Sequence, residues 1–223
     1  MDLSNFITLL QKLEHNESIW KMYELKENRF DSVAIRALAD KEFHDLLKLA
    51  DNLSPNDIES LGNQGMVKSG VLGMVFVCLG PEKLKNSIPE LMEYLQDMNW
   101  PAAGYVAKVL KLMPAEILVP RLVRIIEDSF QDDVWIYWLC STLIDGMDKN
   151  YLETLKNPLL NYIKNCPYPE EPIRAAETII PVLTTEEFQD ICSHHETKFA
   201  TYYPLSEMTE FKEAFINSLR KDL

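Results

Sequence analysis

The chain predicts an all-α fold, an α-solenoid of stacked antiparallel helix pairs closed by helical caps. Three observations lead there. Apolar residues recur at three- and four-residue spacing along almost the whole chain. No alternating run of β-branched residues is bounded by Asn-Gly or Asp-Gly, so hairpin signals are missing. Helices that carry a proline near their apparent start recur, each followed by a partner helix, at intervals of 30–40 residues.

The elements can be justified in order. Phe6, Leu9, Leu10 and Leu13 form the first apolar face, with Ser4 as expected N-cap. A second stretch spans Glu17 to Glu27 with Ile19, Trp20, Tyr23 and Leu25. Asp31 is placed to cap Val33 to Leu38. Phe43, Leu46, Leu47 and Leu49 make the next apolar face, ending near Asp51-Asn52. Ser54-Pro55-Asn56-Asp57 combines a capping serine, a proline at the first helical position and an acid at the positive end of the helix. Met66 to Leu79 is apolar nearly all round, so a central, buried helix is expected. Within it, Val71 to Val77 is the one place where a strand could hide, but its helical flanks favour helix.

From Pro81 the pattern repeats. Pro89, Pro120 and Pro158 are spaced 31 and 38 residues apart. Each is expected to begin a helix, or in the case of Pro120 to begin or bend one. The expected partners are Asn99 to Met113, Asp132 to Ile144 and Glu170 to Leu183, all with polar or acidic starts. One such pair cannot bury both its apolar faces, whereas a stacked row can; the irregular period is HEAT-like. The expected organisation is residues 1–80 as a divergent repeat or cap, 81–183 as the repeat core, and 184–223 as capping helices, the last from Glu207 to Leu219.

Composition narrows the function. The 223 residues are 47% apolar and 26% charged, values of a globular chain. Only 7 glycines argue against glycine-rich phosphate loops. The 35 acids against 22 bases give a charge of −13, which opposes phosphate backbones and makes nucleic acid an unexpected partner. Met1-Asp2-Leu3-Ser4-Asn5 lacks the basic region of a secretory leader. The longest apolar run, Val71 to Leu79, is about half the ~20 residues that span a bilayer, so no membrane role is expected. Cys78, Cys140, Cys166 and Cys192 form no C-x-x-C pair and lie in apolar surroundings. They are expected to be reduced core thiols in a cytoplasmic setting.

Two stretches carry a resemblance. Leu95-Gln96-Asp97-Met98-Asn99-Trp100-Pro101 is a Leu-x-Asp-x-Asn-Trp-Pro turn, and Asp132-Asp133-Val134-Trp135-Ile136-Tyr137-Trp138 is an Asp-Asp-x-Trp-x-x-Trp helix start. With Ile88 to Tyr94, they resemble a bacterial family of HEAT-like proteins, the domain of unknown function numbered 5071, over about residues 84–183. The resemblance implies an all-helical repeat and brings no activity with it.

Chemistry-bearing patterns have plainer readings. His194-His195-Glu196 puts two histidines ~100° apart on a helix, a poor chelating arrangement, and reads as a polar helix end. Gly65-Met66-Val67-Lys68-Ser69-Gly70 has P-loop glycine spacing, but its Lys-Ser pair precedes the second glycine. Asp132-Asp133 and Asp97 with Asn99 read as caps and turn chemistry. Trp100, Trp135 and Trp138 read as core. Neither a metal nor a cofactor is expected. The expectation is a non-enzymatic protein-binding module for a basic partner, for example an immunity-type protein. Its expected contact residues are Tyr105, Tyr137, Ser141, Asp145, Arg174 and Glu177 on the inner helices. One alternative is a glycosylase-like enzyme using Lys108, Lys111, Arg121, Arg124 and Arg174 on nucleic acid; the other is a scaffold or regulatory subunit.

Overall fold

A computed structural model describes residues 3–17, 19, 31–128, 132–166, 170–199, 209–210 and 212–213. The stretch Glu17 to Glu27 and the helix expected from Glu207 to Leu219 lie largely outside the described residues. Among the described residues the protein is helical, with no strand. The chain divides into two compact units, Met1–Pro114 and Ala115–Leu223.

The first unit contains α1 (Leu3–Leu13), α2 (Ser32–Leu38), α3 (Lys41–Ala50), α4 (Pro55–Asn63), α5 (Gly70–Leu79), the short α6 (Pro81–Leu84), α7 (Ile88–Glu93) and α8 (Ala103–Lys111). Its caps obey the sequence. Asp31 accepts from the Val33 amide at 2.8 Å and Asp40 from the Phe43 amide at 2.9 Å. Ser54 and Asp57 form a reciprocal capping box ahead of Pro55. Ser4 is not a cap: it lies inside the first turn of α1, and its carbonyl accepts from Thr8 Oγ1.

α5 is the hub. Every residue from Gly70 to Cys78 is buried, and α1, α2, α3 and α8 all pack on it. Val71 to Val77 is therefore helix, since a helix closes its own backbone bonds while each flank meets another helix. It starts at Gly70 because Gly65, at φ +77°, and a 3₁₀ turn over Met66–Lys68 come first. Ser69 caps it by accepting from the Leu72 amide at 3.0 Å. The Glu14 carboxylate, at the end of α1, accepts from the Ser69 hydroxyl and from the Val71 amide. An acid thus occupies the positive end of the central helix.

α5 and α8 approach closely at Gly73. A Cβ there would lie 2.6 Å from Tyr105 Cδ2 and 2.9 Å from Tyr105 Cβ and Cγ. α7 begins at Ile88-Pro89 as expected and packs on α4 and α8. Tyr94, just after α7, donates to the Ile58 carbonyl at 3.3 Å and meets Phe76 edge-on at 5.7 Å. The segment expected as helix from Asn99 is first a turn, in which Asp97 accepts from the Asn99 amide at 2.8 Å; α8 begins at Ala103.

Partial burial, with Glu59 and Glu90 nearby, holds the Glu93 carboxyl above the ordinary carboxylate range. A raised carboxyl pKa favours the fold at low pH, and that contribution is lost as pH rises through the raised value. Glu93→Gln is therefore expected to raise the melting temperature at neutral pH and to leave it unchanged near pH 3. Melting curves at the two pH values check this.

The second unit contains α9 (Ala115–Asp128), α10 (Asp133–Leu139) continued by a π-helical turn (Cys140–Ile144), α11 (Lys149–Asn165), α12 (Glu170–Ile179) with a 3₁₀ turn over Ile180–Val182, and α13 (Thr185–Phe199). α9 packs on α11, α11 on α12, and α10 on α12. Pro120 and Pro158 do not begin helices; they lie inside α9 and α11. In α11, Leu152 and Leu155 before the proline and Leu159, Tyr162 and Ile163 after it are buried, so one apolar face continues across it. Packing along that face outweighs the backbone bond that a proline removes. Tyr151 of α11 donates to Glu116 of α9, and Lys156 of α11 pairs with Glu187 of α13 at 3.4 Å.

Candidate partner-binding surface

α10 starts where two acids meet an apolar run. Asp132 accepts from the Trp135 amide at 3.1 Å, and Asp133 from its neighbour Val134 at 3.0 Å. Both acids are thus engaged at the helix start, as their position predicts. Trp135, Ile136 and Leu139 turn inward, while Val134 and Tyr137 are exposed. Tyr137 meets the half-buried Trp138 edge-on, with ring centroids 4.9 Å apart. The helix then widens: the Asp145 amide donates to the Cys140 carbonyl, an i to i+5 bond, at 3.0 Å.

The wide turn aims two polar side chains at α12. Arg174 Nε donates to Ser141 Oγ at 3.0 Å, and its terminal nitrogens donate to Asp145 Oδ2 at 3.0 Å and Glu177 Oε2 at 3.3 Å. Partial burial disfavours the charged guanidinium, but the Asp145 and Glu177 carboxylates outweigh it and raise the Arg174 pKa. Small side chains let the helices approach: Ala175, Ala176 and Thr178 of α12 are buried, and Thr178 donates to the Arg174 carbonyl at 2.8 Å.

Ser141, Asp145, Arg174 and Glu177 thus form one network, with Tyr137 one turn along the same helix. Tyr105 is not part of this surface. It belongs to the first unit, is 3% exposed and fills the slot that Gly73 leaves. The π turn, which positions Ser141 and Asp145, has no counterpart in the sequence pattern.

His194 and His195 lie within α13 instead of at a helix end, with His195 5% exposed. Trp135 is core, but Trp100 and Trp138 are only half-buried. The Gly65 to Gly70 segment borders a cavity of about 290 Å³ lined by Leu10, Glu14, His15, Met66 and Lys68. The place a phosphate would need, at the start of α5, is taken by the Glu14 carboxylate. Arg124 is paired with Asp128 at 3.5 Å.

All four cysteines are buried and unbonded to one another. Burial pushes the Cys140 thiol up to about 12 and the Cys78 thiol to about 11. The native protein is therefore expected to react with a thiol-colouring disulfide reagent far more slowly than the unfolded chain, which should titrate four thiols. A rapidly reacting native thiol would contradict this burial.

Residues 76–180, just under half the chain, match the model of a family described as a domain of unknown function (DUF5071). The match takes in both Asp97 to Pro101 and Asp132 to Trp138. No curated protein and no solved structure matches the chain. No helix among the described residues is long and apolar enough to cross a membrane.

Proposed function

From a matched family to which no function is attached, we propose that this chain is a non-enzymatic, HEAT-like helical-repeat protein that binds a basic protein partner. The stacking of α9 on α11 and of α10 on α12 supports the repeat reading. The observation that carries the binding reading is the network around Arg174, two carboxylates and a hydroxyl on one guanidinium, beside the exposed Tyr137. Aromatic and arginine side chains are the residue types that dominate binding energy at protein interfaces. Charge supplies the partner's sign. The second unit carries 19 acidic and 10 basic residues, against 16 and 12 in the first. Such an excess steers basic partners and repels phosphate backbones. An immunity-type protein that neutralises a basic toxin in a reducing cytoplasm is the concrete form of this reading.

The test is affinity capture from a lysate of the source organism at about 50 mM and about 500 mM salt, with captured proteins identified by mass spectrometry. One stoichiometric basic protein, released at the higher salt, is expected. Recovery of chaperones alone at both salts would sink the reading, as would tight, salt-sensitive duplex binding in a gel shift.

A further inference from the structure

The network around Arg174 is one end of a longer strip. Val134 and Tyr137 of α10 and Ser141 of the π turn recur at three- and four-residue spacing, with Asp145 beyond them. At 1.5 Å per residue, Val134 and Ser141 stand ~10 Å apart, two helical turns. Val134 is 47% exposed and Tyr137 36%. Asp132 and Asp133 thus precede these apolar side chains, and Asp145 follows them.

The charge of this strip is one-sided. Residues 132–148 contain four aspartates and no lysine or arginine. Arg174 reaches in and faces two carboxylates, Asp145 and Glu177. Among the ion pairs of the described residues, these two carboxylates share one guanidinium. The Asp145 side chain remains 58% exposed, and its bond to Arg174 uses only Oδ2. The same atoms already show which cation fits: a guanidinium reaches a hydroxyl and two carboxylates at 3.0–3.3 Å.

We propose that this strip docks a basic amphipathic helix of the partner protein, and the proposal rests on the basic-partner reading above. An apolar side chain of that helix packs on Val134 and Tyr137. An arginine about two turns along sits at the open side of Asp145 and joins Arg174 there. Helical spacing on the strip matches helical spacing on the partner, which is the way amphipathic helices are read. The arginine supplies a second positive charge for the two carboxylates, and the aromatic pair supplies area that loses little side-chain freedom.

The test uses the full chain and a synthetic amphipathic helical peptide with one leucine face and one arginine face. Controls are the same peptide with glutamate for arginine, and one of equal charge with its residues shuffled. Amide shifts in an isotope-labelled sample locate the binding, and fluorescence anisotropy measures its strength. Shifts confined to 134–145 and 174–177 are expected with the arginine peptide. Asp145→Asn and Tyr137→Ala should each weaken it about tenfold, whereas Glu127→Gln, which removes an exposed acid on α9, should change it less than about twofold. Circular dichroism confirms that the variants remain folded.

Equal losses from Asp145→Asn and Glu127→Gln would overturn the strip, as would shifts on other faces or equal binding of the shuffled peptide. Any of these leaves the wider basic-partner reading to its own capture experiment. Binding by the glutamate peptide on the same residues would overturn both.

Discussion

Leu155→Ala is expected to cost about 2–5 kcal/mol of folding stability. Leu155 is fully buried on α11, the helix on which both α9 and α12 pack. Truncation removes contacts from a site whose walls are three helices, and such walls collapse only in part. Leu155→Met keeps the volume and should cost less than about 1.5 kcal/mol. Urea denaturation monitored by circular dichroism measures both. A loss under about 1 kcal/mol for the alanine variant would mean that α11 is not the packing centre of its unit.

Gly73→Ala should destabilise by about 1–3 kcal/mol, although alanine is the better helix former. The added methyl would meet Tyr105 at 2.6–2.9 Å, including that side chain's own Cβ, which a rotamer change cannot move. The two helices must therefore separate. The cause can be isolated with a double-mutant cycle: in a Tyr105→Ala background, which removes the ring but keeps the Cβ, the same change should cost clearly less. An undiminished penalty in that background would place the strain elsewhere.

These two sites mark what a sequence can and cannot convey. Starts set by local chemistry are legible. Asp31 and Ser54 with Pro55 cap their helices as their residue types require, because capping depends only on a side chain and the next few amides. The all-round apolar character of α5 announces its central place. Tyr137, Ser141 and Asp145 can be grouped from the sequence because they form the narrow polar stripe of an otherwise apolar segment. Tyr105 is misplaced for the same reason: a tyrosine among valines looks like an edge residue, and only the missing side chain at Gly73, on another helix, makes room for it inside. Pro158, and Pro120 in its reading as a helix start, mislead because proline's preference for helix starts is a local effect, and here the apolar face that continues across each proline outweighs it. No residue pattern signals a wide helical turn, so the aim of Ser141 and Asp145 is visible only in the folded chain.

That wide turn takes up one residue more than an α-helix would need to turn through about the same angle. A substitution within 140–144 can keep the i to i+5 bond between Asp145 and Cys140. Loss of one residue with closure to ordinary α-helix would keep the direction of the residues after the turn, whereas closure without that loss would rotate them by about 100° against those before it. The aromatic pair and the acidic end would then point in different directions, on helices each still intact.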